Sequence, residues 1–221
     1  RDWSSDVCSS DLEVLSIIGV GYKDQERKAF DESKIKECHI NFKDSIPNGK
    51  FIMIDPSLNK KKSDRMPVAY CSVYDNIVRC DDLELTKLTP RLMVRHVIER
   101  AVSDGYFCII SEAQAMQELL LDLFEEILDS LMITDVVLRG ITGGGETKSS
   151  RIVKGAKQVL NAEVVLDYKV LSVYSAEWKT YDPAKANNRD DVLDVVVGVV
   201  VEEEPVSGAV RRNERHKTQR A

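Results

Sequence analysis

The predicted core of this chain begins at the run FIMID, Phe51–Asp55, in which four apolar residues are followed by an acid. A short apolar run bounded by turn residues is typical of a strand with both faces buried. Pro56 follows directly, and proline cannot take part in the hydrogen bonding of a central strand. The sequence therefore predicts a buried strand that ends at the carboxylate of Asp55.

Two further strands are predicted to follow as an antiparallel meander. The first is VAYCSVY, Val68–Tyr74, and the second is IVRCDDLEL, Ile77–Leu85. Only Asp75 and Asn76 separate the two, and short turns of this kind join antiparallel neighbours.

After the meander the hydrophobic period changes from that of strands to that of helices. Thr89 has the chemistry of an N-cap, Pro90 suits the first helical position and Gly105 is a stop signal. The later elements are predicted in the order strand Tyr106–Ile110, helix about 114–131, strand Asp135–Ile141, helix Lys148–Leu160, strand Ala162–Leu166, an irregular region, and a final helix Asp191–Val200 whose valines would also suit a strand. This order predicts an α/β fold with a mixed central sheet, in which an antiparallel three-stranded meander is joined by parallel strands and flanked by helices.

The overall composition is that of a globular protein with an acidic balance. Hydrophobic residues make up 43% of the chain and charged residues 31%, and the formal net charge is −6. The longest apolar run, Val192–Val201, is too short to span a membrane and contains Asp194. No membrane partner is therefore expected.

The charge distribution bears on nucleic-acid binding, and the cysteines bear on the redox compartment of the protein. An acidic chain is not an obvious nucleic-acid binder by net charge, but Lys60, Lys61 and Lys62 form a local basic cluster. A solvated turn is the alternative interpretation of that cluster. The cysteines beyond residue 12 contain no C-x-x-C pair, which favours a protein of a reducing, cytosolic-type compartment.

Acidic residues lie at the ends of predicted elements that should meet in space. Asp55 ends the first strand, Glu112 follows the fourth, and Asp190, Asp191 and Asp194 lie at the start of the last helix. If the first and fourth strands are parallel neighbours, both acids emerge at the same edge of the sheet, and the last helix can bring a third acid to it. Turn formation or helix capping is the alternative role for each acid taken alone.

Several carboxylates in one cleft repel one another unless cations join them. Oxygen ligands of this kind select Mg²⁺ or Mn²⁺ over zinc. Two such ions about 3.5–4 Å apart activate a water molecule and stabilise the leaving oxygen of a phosphodiester. The acids therefore predict metal-dependent phosphodiester cleavage.

Four segments, in this order, resemble the motifs of the C-terminal nuclease domain of phage terminase large subunits, which belongs to the ribonuclease H-like superfamily together with RuvC-type resolvases. They are FIMIDPSLNKKKSD, FCIISEAQAM, GGGETKSSRI and NRDDVLDVVV, and the resemblance covers residues 50 to 202. It implies a ribonuclease H-like fold and an endonuclease that cuts concatemeric double-stranded DNA during viral genome packaging.

The resemblance also implies a role for particular acids. Asp55, Glu112 and Asp191 would be catalytic and would bind two Mg²⁺ or Mn²⁺ ions together with Asp194. Which of Asp190, Asp191 and Asp194 is the principal third ligand stays open, since Arg189 and Val195 stand where the family often has His and Ala.

The resemblance implies a DNA-facing role for basic residues as well. Lys148 and Arg151 match a K-x-x-R element that would face the DNA backbone, and solvated charges are the alternative. Lys60, Lys61 and Lys62 are assigned to DNA binding with them. The glycines Gly143–Gly145 are interpreted as a mobile DNA-facing loop, because the P-loop pattern is absent from the sequence.

The domain organisation expected from these observations has four parts. Residues 1–12, RDWSSDVCSSDL, look like the translation of a sequencing-adapter oligonucleotide and are expected to be an artefact. Residues 13–49 would be a linker or the remnant of an upstream ATPase domain otherwise missing from this chain, residues 50–205 the nuclease domain, and residues 206–221 a basic flexible tail.

The family further implies the portal and the small terminase subunit as partners, and the host cytoplasm as location. Two alternatives stay open: a RuvC-like resolvase or transposase-type nuclease, and a non-catalytic DNA-binding or assembly module of the same fold.

Overall fold

A computed structural model describes residues 42, 45–55, 65–75, 77–112, 118–141, 147–161, 163–182 and 188–201. The strands are β1 (Gly49–Ile54), β2 (Met66–Tyr74), β3 (Ile77–Thr86), β4 (Cys108–Glu112), β5 (Val137–Ile141) and β6 (Val164–Leu166). The helices are α1 (Pro90–Asp104), α2 (Glu118–Ser130), α3 (Lys148–Leu160), α4 (Tyr168–Thr180) and α5 (Asp191–Val201).

The six strands form one mixed sheet in the order β5-β4-β1-β2-β3-β6. Strands β1, β2 and β3 are the predicted antiparallel meander, while β4 pairs with β1, β5 with β4 and β6 with β3 in parallel. The predicted fold class is confirmed.

The first strand is apolar throughout because both faces of the sheet are covered. Phe51 and Met53 belong to a core cluster shared with α3, α4 and α5. Ile52 and Ile54 belong to a second cluster on the opposite face, shared with α1 and α2. The alternation along β1 thus joins two hydrophobic cores across one sheet.

Local signals place the first helix as the sequence predicts. Pro90 occupies the first turn of α1, and Gly105 ends the helix with φ of 75°, a left-handed conformation that glycine adopts without steric cost. Thr89 precedes the helix in extended backbone but forms no side-chain capping hydrogen bond. The predicted bounds of α3 are also confirmed.

One helix was missed by the sequence analysis. The region predicted to be irregular contains α4, which Asp167 caps by accepting a hydrogen bond from the backbone N–H of Lys169 at 3.2 Å. Tyr174 and Trp178 lie one turn apart on its buried side and stack at a ring distance of 6.4 Å. Residues of α4 pack against α5, so the missed helix supports the helix that begins at Asp191.

The close packing of α5 depends on two glycines. A Cβ at Gly198 would come within 2.1 Å of the Met53 Cε of β1, and a Cβ at Gly155 of α3 within 2.7 Å of the Val197 Cγ2 of α5. These approaches fix α5 against the sheet and against α3. None of the described helices is long and apolar enough to cross a bilayer.

Candidate active site

Two of the predicted catalytic acids come from neighbouring parallel strands. The register pairs Ile54 of β1 with Ser111 of β4, so Asp55, which directly follows β1, and Glu112, which is the last residue of β4, lie at one edge of the sheet. Asp55 is partly buried, and its backbone N–H donates to the carbonyl of Pro67 at 3.3 Å. The predicted parallel pairing of these strands is confirmed.

The other acids lie where the N-terminal ends of α3 and α5 meet. The ammonium of Lys148 is 2.9 Å from Asp190 Oδ1 and 2.5 Å from Asp194 Oδ2. Arg151 adds a longer ion pair, with its Nη2 at 3.9 Å from Asp194 Oδ1. Asp191, at the first position of α5, is partly buried.

The pKa values of Asp194 and Lys148 reflect two opposed effects: burial disfavours the charged form of each group, and ion pairing favours it. Burial raises the pKa of Asp194, and the cations of Lys148 and Arg151 oppose that shift only in part. Burial alone would lower the pKa of Lys148, but Asp194 and Asp190 raise it above the ordinary value for lysine. The lysine is therefore fully protonated at neutral pH and compensates two carboxylates.

Lys148 and Arg151 were predicted to face DNA, and the structure pairs both with acids of the same chain. The side chain of Lys148 is nonetheless 47% exposed, whereas that of Arg151 is 21% exposed. Their contact with DNA stays a prediction. The lysines Lys60, Lys61 and Lys62 and the loop Gly143–Gly145 lie outside the described residues.

A buried acid that the sequence analysis missed lies beneath the start of α5. Glu177 of α4 is 5% exposed, and its Oε2 accepts a hydrogen bond from the backbone N–H of Val192 at 2.8 Å. Burial raises the pKa of Glu177 to about 7, with Asp191 adding to the shift and backbone N–H groups opposing it. The signal in the sequence was Asp167 followed by apolar residues at helical spacing.

The predicted metal ligands are not seen as one cluster. Among the side chains that the structure describes, no three His, Cys, Asp or Glu residues converge as a group that could hold an ion. The assignment of Asp55, Glu112, Asp191 and Asp194 as metal ligands therefore stays a prediction. Cys71, Cys80 and Cys108 are buried and form no disulfide among the residues that the structure describes.

The sheet order, the parallel β1–β4 pair and the helices on both faces define a ribonuclease H-like fold. Terminase nuclease domains are among the similar solved structures. That of human cytomegalovirus is 12% identical with a TM-score of 0.55, and the alignment covers 79% of this chain and 95% of that one. A Mn-soaked, inhibitor-bound form of the same domain is 11% identical with a TM-score of 0.56, covering 80% and 95%.

A bacteriophage protein has the same architecture. The nuclease domain of the large terminase subunit gp2 of bacterial virus Sf6 is 9% identical with a TM-score of 0.53, and the alignment covers 75% of this chain and 94% of that one. No protein-family model matches the sequence, and no curated protein matches it. At these identities the likeness is one of fold.

Proposed function

We propose that this chain is the metal-dependent endonuclease domain of a viral DNA-packaging terminase large subunit, which cuts concatemeric double-stranded DNA by two-metal phosphodiester hydrolysis. The observation that carries the proposal is the parallel pairing of β1 and β4, because Asp55 and Glu112 then lie at the same edge of the sheet. The nuclease domains of two viral terminases have a similar fold, with TM-scores of 0.55 and 0.53, which supports the proposal.

Donor chemistry supports the choice of metal. Asp55, Glu112, Asp191 and Asp194 offer carboxylate oxygens, the ligands that Mg²⁺ and Mn²⁺ prefer. The ammonium of Lys148 already pairs with Asp190 and Asp194, so a bound ion would share the Asp194 carboxylate with that lysine. Two bound ions would supply Lewis-acid activation of water and stabilisation of the leaving oxygen.

In this proposal the acidic residues bind the metal ions and the basic residues compensate charge or contact DNA. Asp55 and Glu112 would contribute from the adjoining ends of two paired strands, and Asp191 and Asp194 from the first turn of α5. Lys148 and Arg151 limit the repulsion among these acids and contribute a smaller share of DNA contact. Lys60, Lys61 and Lys62 would contact the phosphate backbone.

A DNA cleavage assay with Mn²⁺ tests the proposal. Asp55→Asn and Glu112→Gln keep the size of the side chain but remove its charge, and each should lower the cleavage rate by at least about 100-fold. Glu99→Gln is the matched control, since Glu99 is an exposed residue of α1 whose carboxylate lies 3.9 Å from Arg95 Nε. Equal cleavage by all four proteins would refute the assignment.

The substrate in the same assay separates the alternatives. A terminase nuclease should cut linear duplex DNA, whereas a resolvase should prefer a four-way junction. A non-catalytic module should cut neither and should bind no Mn²⁺. As part of the same proposal, the partners are the portal, the small terminase subunit and an ATPase domain, in the host cytoplasm.

A further inference from the structure

We infer that Glu177 is a positioning residue that fixes the first turn of α5, and with it the carboxylates of Asp191 and Asp194. The inference rests on the proposed function, because it concerns how that site is held in place. Glu177 acts on these carboxylates through the backbone of the helix that carries them.

The backbone N–H groups at the start of a helix have no partner within the helix. In α5 the N–H of Val192 donates to Glu177 Oε2 at 2.8 Å, and the N–H of Leu193 also hydrogen-bonds the same carboxylate. These are the second and third positions of the helix, which a capping side chain normally serves. Here the cap comes from another helix, 15 residues earlier in the chain.

The residue in the usual capping position is engaged elsewhere. Asp190 directly precedes α5, and its Oδ1 accepts a hydrogen bond from Lys148 Nζ at 2.9 Å. Asp190 still contributes its carbonyl, which accepts the N–H of Asp194 at 2.9 Å. Glu177 of α4 thus contacts the backbone of the first turn of α5, whereas Lys148 of α3 pairs with the carboxylates of Asp190 and Asp194.

The burial of Glu177 is consistent with a specific role. A carboxylate that is 5% exposed has lost most of its hydration, and such a group persists only where hydrogen bonds or a counter-charge replace the water. Two backbone N–H groups serve that purpose here, and Arg189 adds a weaker ion pair at 3.8 Å. An amide side chain at this position would keep the size of Glu177 but would lose the negative charge that faces the Val192 N–H and Arg189.

Loss of this hold should move the acids relative to Asp55 and Glu112, which are fixed by the sheet. Residues that orient metal ligands typically change metal affinity or activity 10- to 100-fold when they are replaced. We expect Glu177→Gln to weaken Mn²⁺ binding about 10-fold. The backbone amides of Val192 and Leu193 should exchange with deuterium faster in the metal-free variant.

The experiment compares wild type, Glu177→Gln and the matched control Asp167→Asn. Asp167 also caps a helix, by accepting from the N–H of Lys169 at the start of α4. Mn²⁺ affinity is measured by calorimetry, and amide exchange and thermal unfolding are measured without metal. Only Glu177→Gln should weaken Mn²⁺ binding and lose protection at the two amides, even if Asp167→Asn lowers the unfolding temperature as much.

The outcomes distinguish this inference from the proposed function. Wild-type protein that neither binds Mn²⁺ nor cuts DNA would overturn the proposed function, and this role with it. Wild-type binding together with unchanged binding by Glu177→Gln would overturn the positioning role alone. If Glu177→Gln does not fold, rapid exchange at Val192 and Leu193 in the wild type overturns the role, and slow exchange supports it.

Discussion

Arg100 joins α1 to β3 through a set of contacts that only a guanidinium can make. Its Nη2 donates to Asp82 at 2.6 Å, its Nη1 donates to Glu84, and its Cζ lies 3.6 Å from the centre of the Tyr70 ring. Arg100→Lys keeps the charge but loses the fork and the stacking. It should lower the free energy of unfolding by about 1–2 kcal/mol, measured by urea denaturation.

Arg91→Lys is the control for that substitution. Arg91 is 67% exposed and pairs with Glu126 at 2.9 Å, and exposed ion pairs of this kind contribute little to stability. Its effect should stay within about 0.5 kcal/mol. Equal effects of the two substitutions would contradict the role assigned to Arg100.

Asp81 should give the protein a measurable pH dependence of stability. Burial raises its pKa above the ordinary value of 3.8, and the hydrogen bond from Ser72 and the charge of Arg79 offset this only in part. The stability associated with Asp81 is therefore present below about pH 4 and is lost as the pH rises through the raised pKa. Relative to wild type, Asp81→Asn should gain stability as the pH rises through that window, in denaturant unfolding at a series of pH values.

Asp104→Asn provides a control with the opposite sign. The hydroxyl of Ser103 and the guanidinium of Arg100 lower the pKa of Asp104, so its contribution is lost as the pH falls. As the pH rises, the free energy of unfolding of wild type should therefore increase relative to that of Asp104→Asn. Two difference curves whose slopes have the same sign would contradict at least one of the two assignments.

Residues were predictable from the sequence where their role depends on neighbours along the chain. Asp55 follows an apolar run, so its place at a strand end follows from the local pattern. Glu177 acts on Val192, and Arg100 acts on Asp82, 18 residues away. Such partners meet only through the tertiary structure, and no local pattern in the sequence predicts their contact.

At the scale of elements, the contact between α3 and α5 depends on Gly155. A Cβ there would lie 2.7 Å from Val197 Cγ2 and 3.3 Å from Val197 Cα, so the backbone of α5 cannot easily give way. Gly155→Ala should destabilise the protein by about 1–3 kcal/mol, less the roughly 1 kcal/mol that alanine gains over glycine in a helix. Chemical denaturation measures the net loss.

Val197→Ala tests whether that clash is the cause. Removing the Val197 methyl groups from the core is itself destabilising, but it makes room for the new Cβ. The double variant should therefore be more stable than the sum of the two single effects by at least about 0.5 kcal/mol. Strict additivity would show that the two residues do not compete for the same space.

Helices α1 and α4 show why elements differ in how well they could be predicted. Pro90 and Gly105 bracket α1 with residues that have few alternatives to a helix start and a helix end. Helix α4 ends at Tyr181 in extended backbone without a glycine, and its sequence is rich in β-branched and aromatic residues. Such residues favour strands on propensity, and the burial of Tyr174 and Trp178 in the core overrides that preference.

At the scale of the whole molecule, the order of strands and helices was sufficient to predict the centre of the sheet. The antiparallel β2–β3 pair follows from the two residues that separate these strands, and the parallel direction of β4 is consistent with its following the helix α1. The pairing of β6 with β3 was not predicted. That pairing is set by the packing of α3 and α4 against one face of the sheet, which a single sequence does not reveal.

The charge distribution of the molecule leads to a test of how an acidic protein binds DNA. With a net charge of −6, attraction must come from local basic clusters. Substituting Lys60, Lys61 and Lys62 by Gln should weaken binding and should reduce the slope of log affinity against log salt by roughly 2 to 3, since each phosphate contact contributes about 0.9. Binding is measured by fluorescence anisotropy without divalent ions, so that no cleavage occurs.

Lys148→Gln is the informative comparison for that measurement. Its ammonium is already shared by Asp190 and Asp194, so fewer counterions are released when DNA approaches it than at an unpaired lysine. The salt slope should change by less than about 0.5. A change close to 0.9 would mean that Lys148 leaves its ion pairs to contact a phosphate, and DNA binding would then release Asp190 and Asp194 from the cation that compensates them.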